Sequence, residues 1–148
     1  MSTVRKLLEE KQNENIYSVA VGDSVLQALK VMADADTGAV LVSDGDRFVG
    51  IFTERDYARQ GELKGICAKN TIVKDVMTQE MISVKPETSI QQCMELMTKY
   101  RIRHLPVVVK AHIVGIISIG DVVRAQKDEA EHTITELENY IMGTGYGR

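Results

Sequence analysis

Apolar and polar positions along this chain fall into a pattern that occurs twice. The stretch Val49-Gly50-Ile51-Phe52-Thr53-Glu54-Arg55-Asp56 returns as Val114-Gly115-Ile116-Ile117-Ser118-Ile119-Gly120-Asp121, 65 positions later. Each reads as a buried apolar strand, a hydroxyl residue, two spacers and a carboxylate. At the same offset, with no gap, Val25 falls on Ile90, Gln27 on Gln92, Met32 on Met97 and Val42 on Val107. A register held through helix, loop and strand patterns marks one structural unit duplicated. Function is therefore expected between the copies.

Period predicts the elements of each copy. Tyr17, Val19 and Val21 alternate as a short strand. Ser24 and Gln27 have the form of a capping box ahead of Val25, Ala28, Leu29 and Met32 at helical spacing, and Ser89 and Gln92 repeat it ahead of Ile90, Cys93, Met94 and Met97. Methionines on these faces read as core filler. Two apolar runs parted by a turn follow in each copy: 39–42 and 48–53 around Asp44-Gly45-Asp46, then 105–109 and 113–118 around Lys110-Ala111-His112. The hydroxyl residues then open further helices, over 54–60 with a stop at Gly61, and over 119–126. The order strand, helix, strand, strand, helix predicts an α/β (α+β) fold in which two β-α-β-β-α units pack as one pseudo-twofold body.

Outside the copies, Val4, Leu7, Leu8 and Lys11 predict a short leading helix, and 12–15 a turn. Segment 62–79 reads as an ordered connector, because it lacks the Gly, Ser and Pro richness of a tether. Ala130, Ile134, Leu137 and Ile141 predict a tail helix over 127–142, closed by Gly143, with 143–148 frayed. Two heptads are too few for an independent coiled coil, so this narrow stripe needs cover from the body or, preferentially, from a partner subunit. The expected divisions are 1–15, 16–70, 71–126 and 127–148.

Composition narrows the function classes. With 148 residues, 44% hydrophobic and 26% charged, the chain can sustain a core. Each copy alone, at about 60 residues, is marginal, so the halves are expected to share one body. The net charge is −3 and no long basic run appears, which disfavours nucleic acid and anionic membranes as partners. Residues 1–12 lack the apolar run of a signal peptide, and no segment approaches the ~18 apolar residues needed to span a bilayer, so a cytoplasmic protein is expected. Cys67 and Cys93 show no CxxC or CxxH spacing, which argues against a zinc site or redox pair and predicts two buried thiols.

The chemistry lies in Thr53-x-x-Asp56 and Ser118-x-x-Asp121. A hydroxyl followed three residues on by an acid is first of all a capping box. The same geometry presents a helix N-terminus to a phosphate, and a carboxylate in that first turn can accept both hydroxyls of a ribose. Arg101 and Arg103, with His104, precede a strand and match phosphate oxygens by charge and shape, or form a solvated basic edge. Pro106 removes a ladder donor, which suits an edge strand. In the first copy the same positions read Asp36-Thr37-Gly38-Ala39-Val40-Leu41, with neither arginine nor proline, so two pockets built this way are not equivalent.

These motifs, with Asp75-Val76-Met77-Thr78 between them, resemble a pair of CBS domains, the Bateman module, over roughly 16–126. The arrangement is most similar to stand-alone single-pair proteins. The resemblance implies an adenine nucleotide ligand (AMP, ADP, ATP or NAD, or S-adenosylmethionine) in clefts between the copies, and a homodimer shaped as a flat disc. It places Asp121 and Ser118 on ribose and phosphate in one cleft, with Ile82, Ser83, His104, Leu105 and Pro106 around the adenine. It places Asp56 and Thr53 in the other, lined by Tyr17, Ser18, Gly38 and Ala39, with Arg55, Arg101 and Arg103 available to phosphates. The implied function is a regulatory nucleotide sensor acting on an unidentified partner protein, without catalysis. The alternatives are an interaction scaffold with empty clefts and a nucleotide-acting enzyme; for the latter no Walker loop, HExxH helix or nucleophile-base motif is present.

Overall fold

Ser24 and Ser89 start the two internal helices. Each hydroxyl accepts the N–H three residues on, from Gln27 and Gln92, at 3.0 Å, and the Gln92 side chain accepts the Ser89 N–H in return. The helices that follow, α2 (Val25–Ala35) and α4 (Ile90–Tyr100), both end on a left-handed residue, Asp36 (φ 51°) and Arg101 (φ 55°). The computed structural model describes residues 2–11 and 16–141. The turn expected at 12–15, the stop at Gly143 and the frayed end lie outside the described residues.

After each helix comes an antiparallel hairpin, β2 (Ala39–Asp44) with β3 (Arg47–Thr53) and β4 (His104–Val109) with β5 (His112–Ser118). Both carry the same register break, after Val42 and after Val107. The strand β1 (Ser18–Ala20) runs parallel to β2 with Val19 opposite Val42. Its counterpart in the second copy shrinks to one bridging residue, Val84 opposite Val107. The register is kept there because the Pro106 carbonyl accepts the Val84 N–H at 2.9 Å and Val84 accepts from Val108 at 2.8 Å.

Each core is closed by a segment that lies in sequence ahead of the other copy. In the first copy Val25, Met32, Val42 and Phe52 cluster with Val73 and Val76; in the second Ile90, Met97, Val107 and Ile117 cluster with Val4 and Leu7 of α1 (Val4–Glu10). Backbone bonds repeat the arrangement: Val73 donates to Asp23 and Val25 to Thr71, while Val4 donates to Thr88 and Ile90 to Ser2. Segment 2–8 thus does for the second copy what 71–77 does for the first. Glycines mark the crossings. A Cβ on Gly50 would stand 2.6 Å from Met77 Sδ, and one on Gly115 would stand 3.0 Å from Leu8 Cδ2. A third cluster, Ala39, Leu41 and Ile51 with Phe48, Met81, Ile113 and Ile116, joins the copies face to face.

Three expectations are corrected. The helix after Thr53, α3 (Glu54–Asp56), does not stop at Gly61 but continues through a wide turn (Tyr57–Gly61) and a tight one (Glu62–Lys64) to Gly65, whose φ is 72°. Gly61 is buried beside the Tyr57 ring, where a Cβ would meet ring carbon at 3.1 Å, so it serves packing. The helix after Ser118, α5 (Ile119–Ile141), runs without a break at 126, since Ala125-Gln126-Lys127 are good helix formers. Cys67 is exposed; only Cys93 is buried, and burial pushes its thiol up to about 11. Among the described residues the distal half of α5 is left exposed: Ile134, Leu137 and Ile141 are 54%, 56% and 66% exposed.

Candidate functional site

Each hairpin delivers its last residue to a helix start, and there the capping bonds form in full. The Thr53 hydroxyl accepts the Asp56 N–H and the Asp56 carboxylate accepts the Thr53 N–H, both at 3.1 Å. Ser118 and Asp121 repeat the exchange at 3.2 and 2.9 Å. The next N–H is also taken, from Glu54 by the Gly38 carbonyl and from Ile119 by that of Arg103. The two helix starts therefore hold fewer donors for an anion than their sequence implied, and the carboxylates become the principal chemistry.

The structure exchanges the surroundings expected for those carboxylates. Asp56 and Thr53 share a cleft with Arg101, Arg103, His104, Pro106 and Ile82 of the second copy, together with Gly38, Arg55, Ile51 and Met81. Asp121 and Ser118 share one with Tyr17, Ala39, Asp36 and Thr37 of the first copy, and with His104 and Ile116. Each carboxylate faces the approach strand of the opposite copy, because the copies pack face to face about the third cluster. Three expected residues line neither cleft: Leu105 is fully buried in the second core, while Ser18 and Ser83 are exposed away from both. His104 lines both clefts, and a Cβ on Gly38 would stand 3.3 Å from its Cε1 and 2.9 Å from Glu54 Oε1. Gly38 is what lets the two copies approach there.

The clefts are of similar size, about 180 and 210 Å³, and differ in charge. Around Asp56 stand Arg55, Arg101 and Arg103 with Glu54 and Glu80. The Thr78 hydroxyl lies 3.3 and 3.4 Å from the two Asp56 oxygens. Burial raises the Asp56 pKa above its ordinary value, opposed by the Thr53 and Thr78 bonds and the Arg55 charge. Around Asp121 the balance reverses. The Lys11 ammonium sits 2.9 Å from Asp121 Oδ2 and 2.9 Å from the Ile116 carbonyl, and Arg124 lies 3.6 Å from Oδ1. Burial pushes the Asp121 carboxyl up, but the Ser118 N–H, Lys11 and the Ser118 hydroxyl together hold it below its ordinary value. Burial also lowers the His104 pKa, helped by Lys11 and Arg103 and opposed by Asp121.

Sequence reasoning missed Lys11, Glu54, Thr78 and Glu80 as cleft residues. A signal for the first was present: Thr3-Val4-Arg5-Lys6-Leu7-Leu8 and Ile72-Val73-Lys74-Asp75-Val76-Met77 share one apolar pattern 69 positions apart, a second offset beside 65. It carries α1 onto the second copy and Lys11 over β5.

The family model for the CBS domain matches residues 4–62 and 73–128. This chain belongs to the CBS domain family. It is 44% identical over 129 residues to a mitochondrial CBS domain-containing protein, CBSX3, of Arabidopsis thaliana, covering 84% of this chain and 62% of that protein's length. A CBS-domain protein structure from Burkholderia ambifaria is also 44% identical, with a TM-score of 0.81 over 84% of this chain and 93% of that one. A CBS domain pair solved in complex with 5′-methylthioadenosine and S-adenosyl-L-methionine shares the fold at 21% identity, with a TM-score of 0.72 over 84% of this chain and 98% of that one. CBS domain pairs are regulatory modules, and residues 4–128 of this chain hold one such pair. Among the described residues no helix is long and apolar enough to cross a membrane.

Proposed function

We propose that the protein is a nucleotide sensor whose ligand, an adenine nucleotide such as AMP, ATP or NAD, binds in the Asp56 cleft. The observation that carries this reading is the company Asp56 keeps: apolar walls from Ile51, Met81, Ile82 and Pro106, and three arginines in the same lining. In this arrangement the apolar walls take the adenine ring and the Asp56 carboxylate takes the ribose diol, with the Thr78 hydroxyl beside it. Arg55, Arg101 and Arg103 take the phosphates. The Asp56 carboxylate is engaged by hydroxyl and backbone groups, which a ribose can join or replace at modest cost.

No catalytic step is part of this function. A ligand that binds one conformation a hundredfold better than another shifts the balance by about 2.7 kcal/mol, enough to change the surface offered to a regulated protein. Binding of adenosine ligands by a fold neighbour supports the ligand class. The exposed stripe of Ile134, Leu137 and Ile141 supports a homodimer in which a partner chain covers it.

Calorimetric titration of nucleotide-stripped protein with AMP, ATP, NAD and S-adenosylmethionine tests the reading, with Asp56→Ala alongside. Two charge-assisted hydrogen bonds at about 1.5 kcal/mol each predict a loss of roughly 100-fold in the variant. Absence of heat with every ligand overturns the sensor and leaves a scaffold whose carboxylates are helix caps.

A further inference from the structure

The Asp121 cleft has the same carboxylate on the same helix start, yet its geometry is already completed by the chain itself. Leu7 is buried in the second core and Leu8 lies against Gly115, so Lys11, one helical turn on, falls over β5. Its ammonium donates to the Ile116 carbonyl and to Asp121 Oδ2, each at 2.9 Å. That oxygen also accepts the Ser118 N–H, and Oδ1 faces Arg124. The side chains of Asp121 and Lys11 are only 9% and 25% exposed. In the Asp56 cleft the carboxylate accepts the Thr53 N–H in the same way, but the side chain that reaches it from outside the cap is the neutral Thr78 hydroxyl, 3.3 and 3.4 Å from its two oxygens.

We infer that Lys11 is a built-in occupant of the Asp121 cleft: its ammonium stands where a ribose diol would donate, so the chain takes ligand in the Asp56 cleft alone. This rests on the reading of these carboxylates as ribose groups. A hydroxyl pair displaces a neutral hydroxyl readily, but to displace Lys11 it must strip a mostly buried carboxylate of its counter-charge, which rehydration of the partly exposed ammonium only partly offsets. Lys11 thereby decides how many ligands each chain binds. The Asp121 cleft is lined by Asp36 where the other is lined by Arg101, so once opened it favours the uncharged nucleoside over its phosphate.

Stoichiometry measured by calorimetry, with adenosine and AMP as separate probes, tests this. The variants are Lys11→Met, the milder Lys11→Gln, Lys11→Arg, and Lys11→Gln combined with Asp121→Ala; circular dichroism verifies the fold of each. Lys11→Met or Lys11→Gln is expected to add one adenosine site per chain, absent in the double variant and in Lys11→Arg, which keeps the cation. The Asp56 cleft is expected to hold AMP within about twofold of its original affinity in Lys11→Gln. If folded Lys11→Gln binds no more adenosine than the unaltered chain, or if the unaltered chain loses a site through Asp121→Ala, the inference is overturned. Failure of the sensor reading looks different: Asp56→Ala then changes nothing, whatever Lys11 does.

Discussion

The Asp56 and Asp121 clefts are built from the same parts in the same register, and they differ because different segments cross the two hairpins. Over β3 the connector crosses as a tight backbone bridge, with Ile51 and Thr78 exchanging bonds at 2.9 and 2.8 Å. Over β5 the crossing segment is a helix, and the side chain of Lys11, just past its end, reaches into the cleft. The bridge leaves a hydroxyl on Asp56; the helix leaves an ammonium on Asp121. Charge follows the same division, since Asp36 and Arg101 occupy equivalent left-handed positions with opposite signs and look into opposite clefts. Duplication supplied two sites, and the crossing segments together with the divergence of residues 36 and 101 made them unequal.

The crossings themselves give the largest contrast in stability. A methyl on Gly50 meets the Thr78 carbonyl at 2.9 Å as well as Met77, and that carbonyl is held by the bridge; a methyl on Gly115 meets only the end of the Leu8 side chain. Gly50→Ala is expected to cost about 2–3 kcal/mol by overpacking, and Gly115→Ala about 1 kcal/mol or less, as read by chemical denaturation. Equal losses would mean the two crossings are equally adaptable.

The carboxylates come next. Asp121, held below its ordinary value, contributes stability that is present above pH 3.8 and lost as pH falls through its folded pKa. Asp56 has the opposite sign: its contribution is present below 3.8 and gone once pH rises through its raised pKa. At neutral pH, Asp121→Asn therefore costs about 2 kcal/mol, the price of a mostly buried ammonium left without its partner and discounted for the partial exposure of Lys11. Asp56→Asn stays within about 0.5 kcal/mol. Carboxyl NMR titration should find the two aspartates on either side of 3.8, and a reversed order removes the electrostatic distinction between the clefts.

His104, shared by both clefts, gives the smallest effect. With its pKa lowered by burial, its contribution is complete above 6.5 and lost as pH falls through the folded value, against the combined field of Lys11, Arg103 and Asp121. His104→Asn should flatten the slope of stability against pH just below 6.5. An unchanged slope would show that the imidazole keeps its solvent in the folded chain.

Much of this was legible in the residues. Ser24 and Ser89 announced their helices, and the hairpin runs appeared where the alternating pattern put them, because capping and period are interactions among neighbours in sequence. The helix limits were less legible. Gly61 read as a stop and instead packs under the Tyr57 ring four residues back, because the chain there takes a wide helical turn that a glycine does not by itself announce. Cys67 read as buried and is exposed, since an isolated thiol carries no pattern of its own.

The sequence alone determined the duplication, the order of elements, the two capped carboxylates and the inequality of residues 36–41 and 101–106. It could do so because each is a local hydrogen-bond or periodicity rule, or a comparison of one stretch with another. Tertiary structure alone decided that Asp56 faces the arginines of the second copy and Asp121 the acidic turn of the first, and that Lys11 reaches Asp121 from 110 positions away. Those pairings follow from how two apolar faces meet about a pseudo-twofold axis, and apolar burial fixes that meeting without naming which polar groups it brings together.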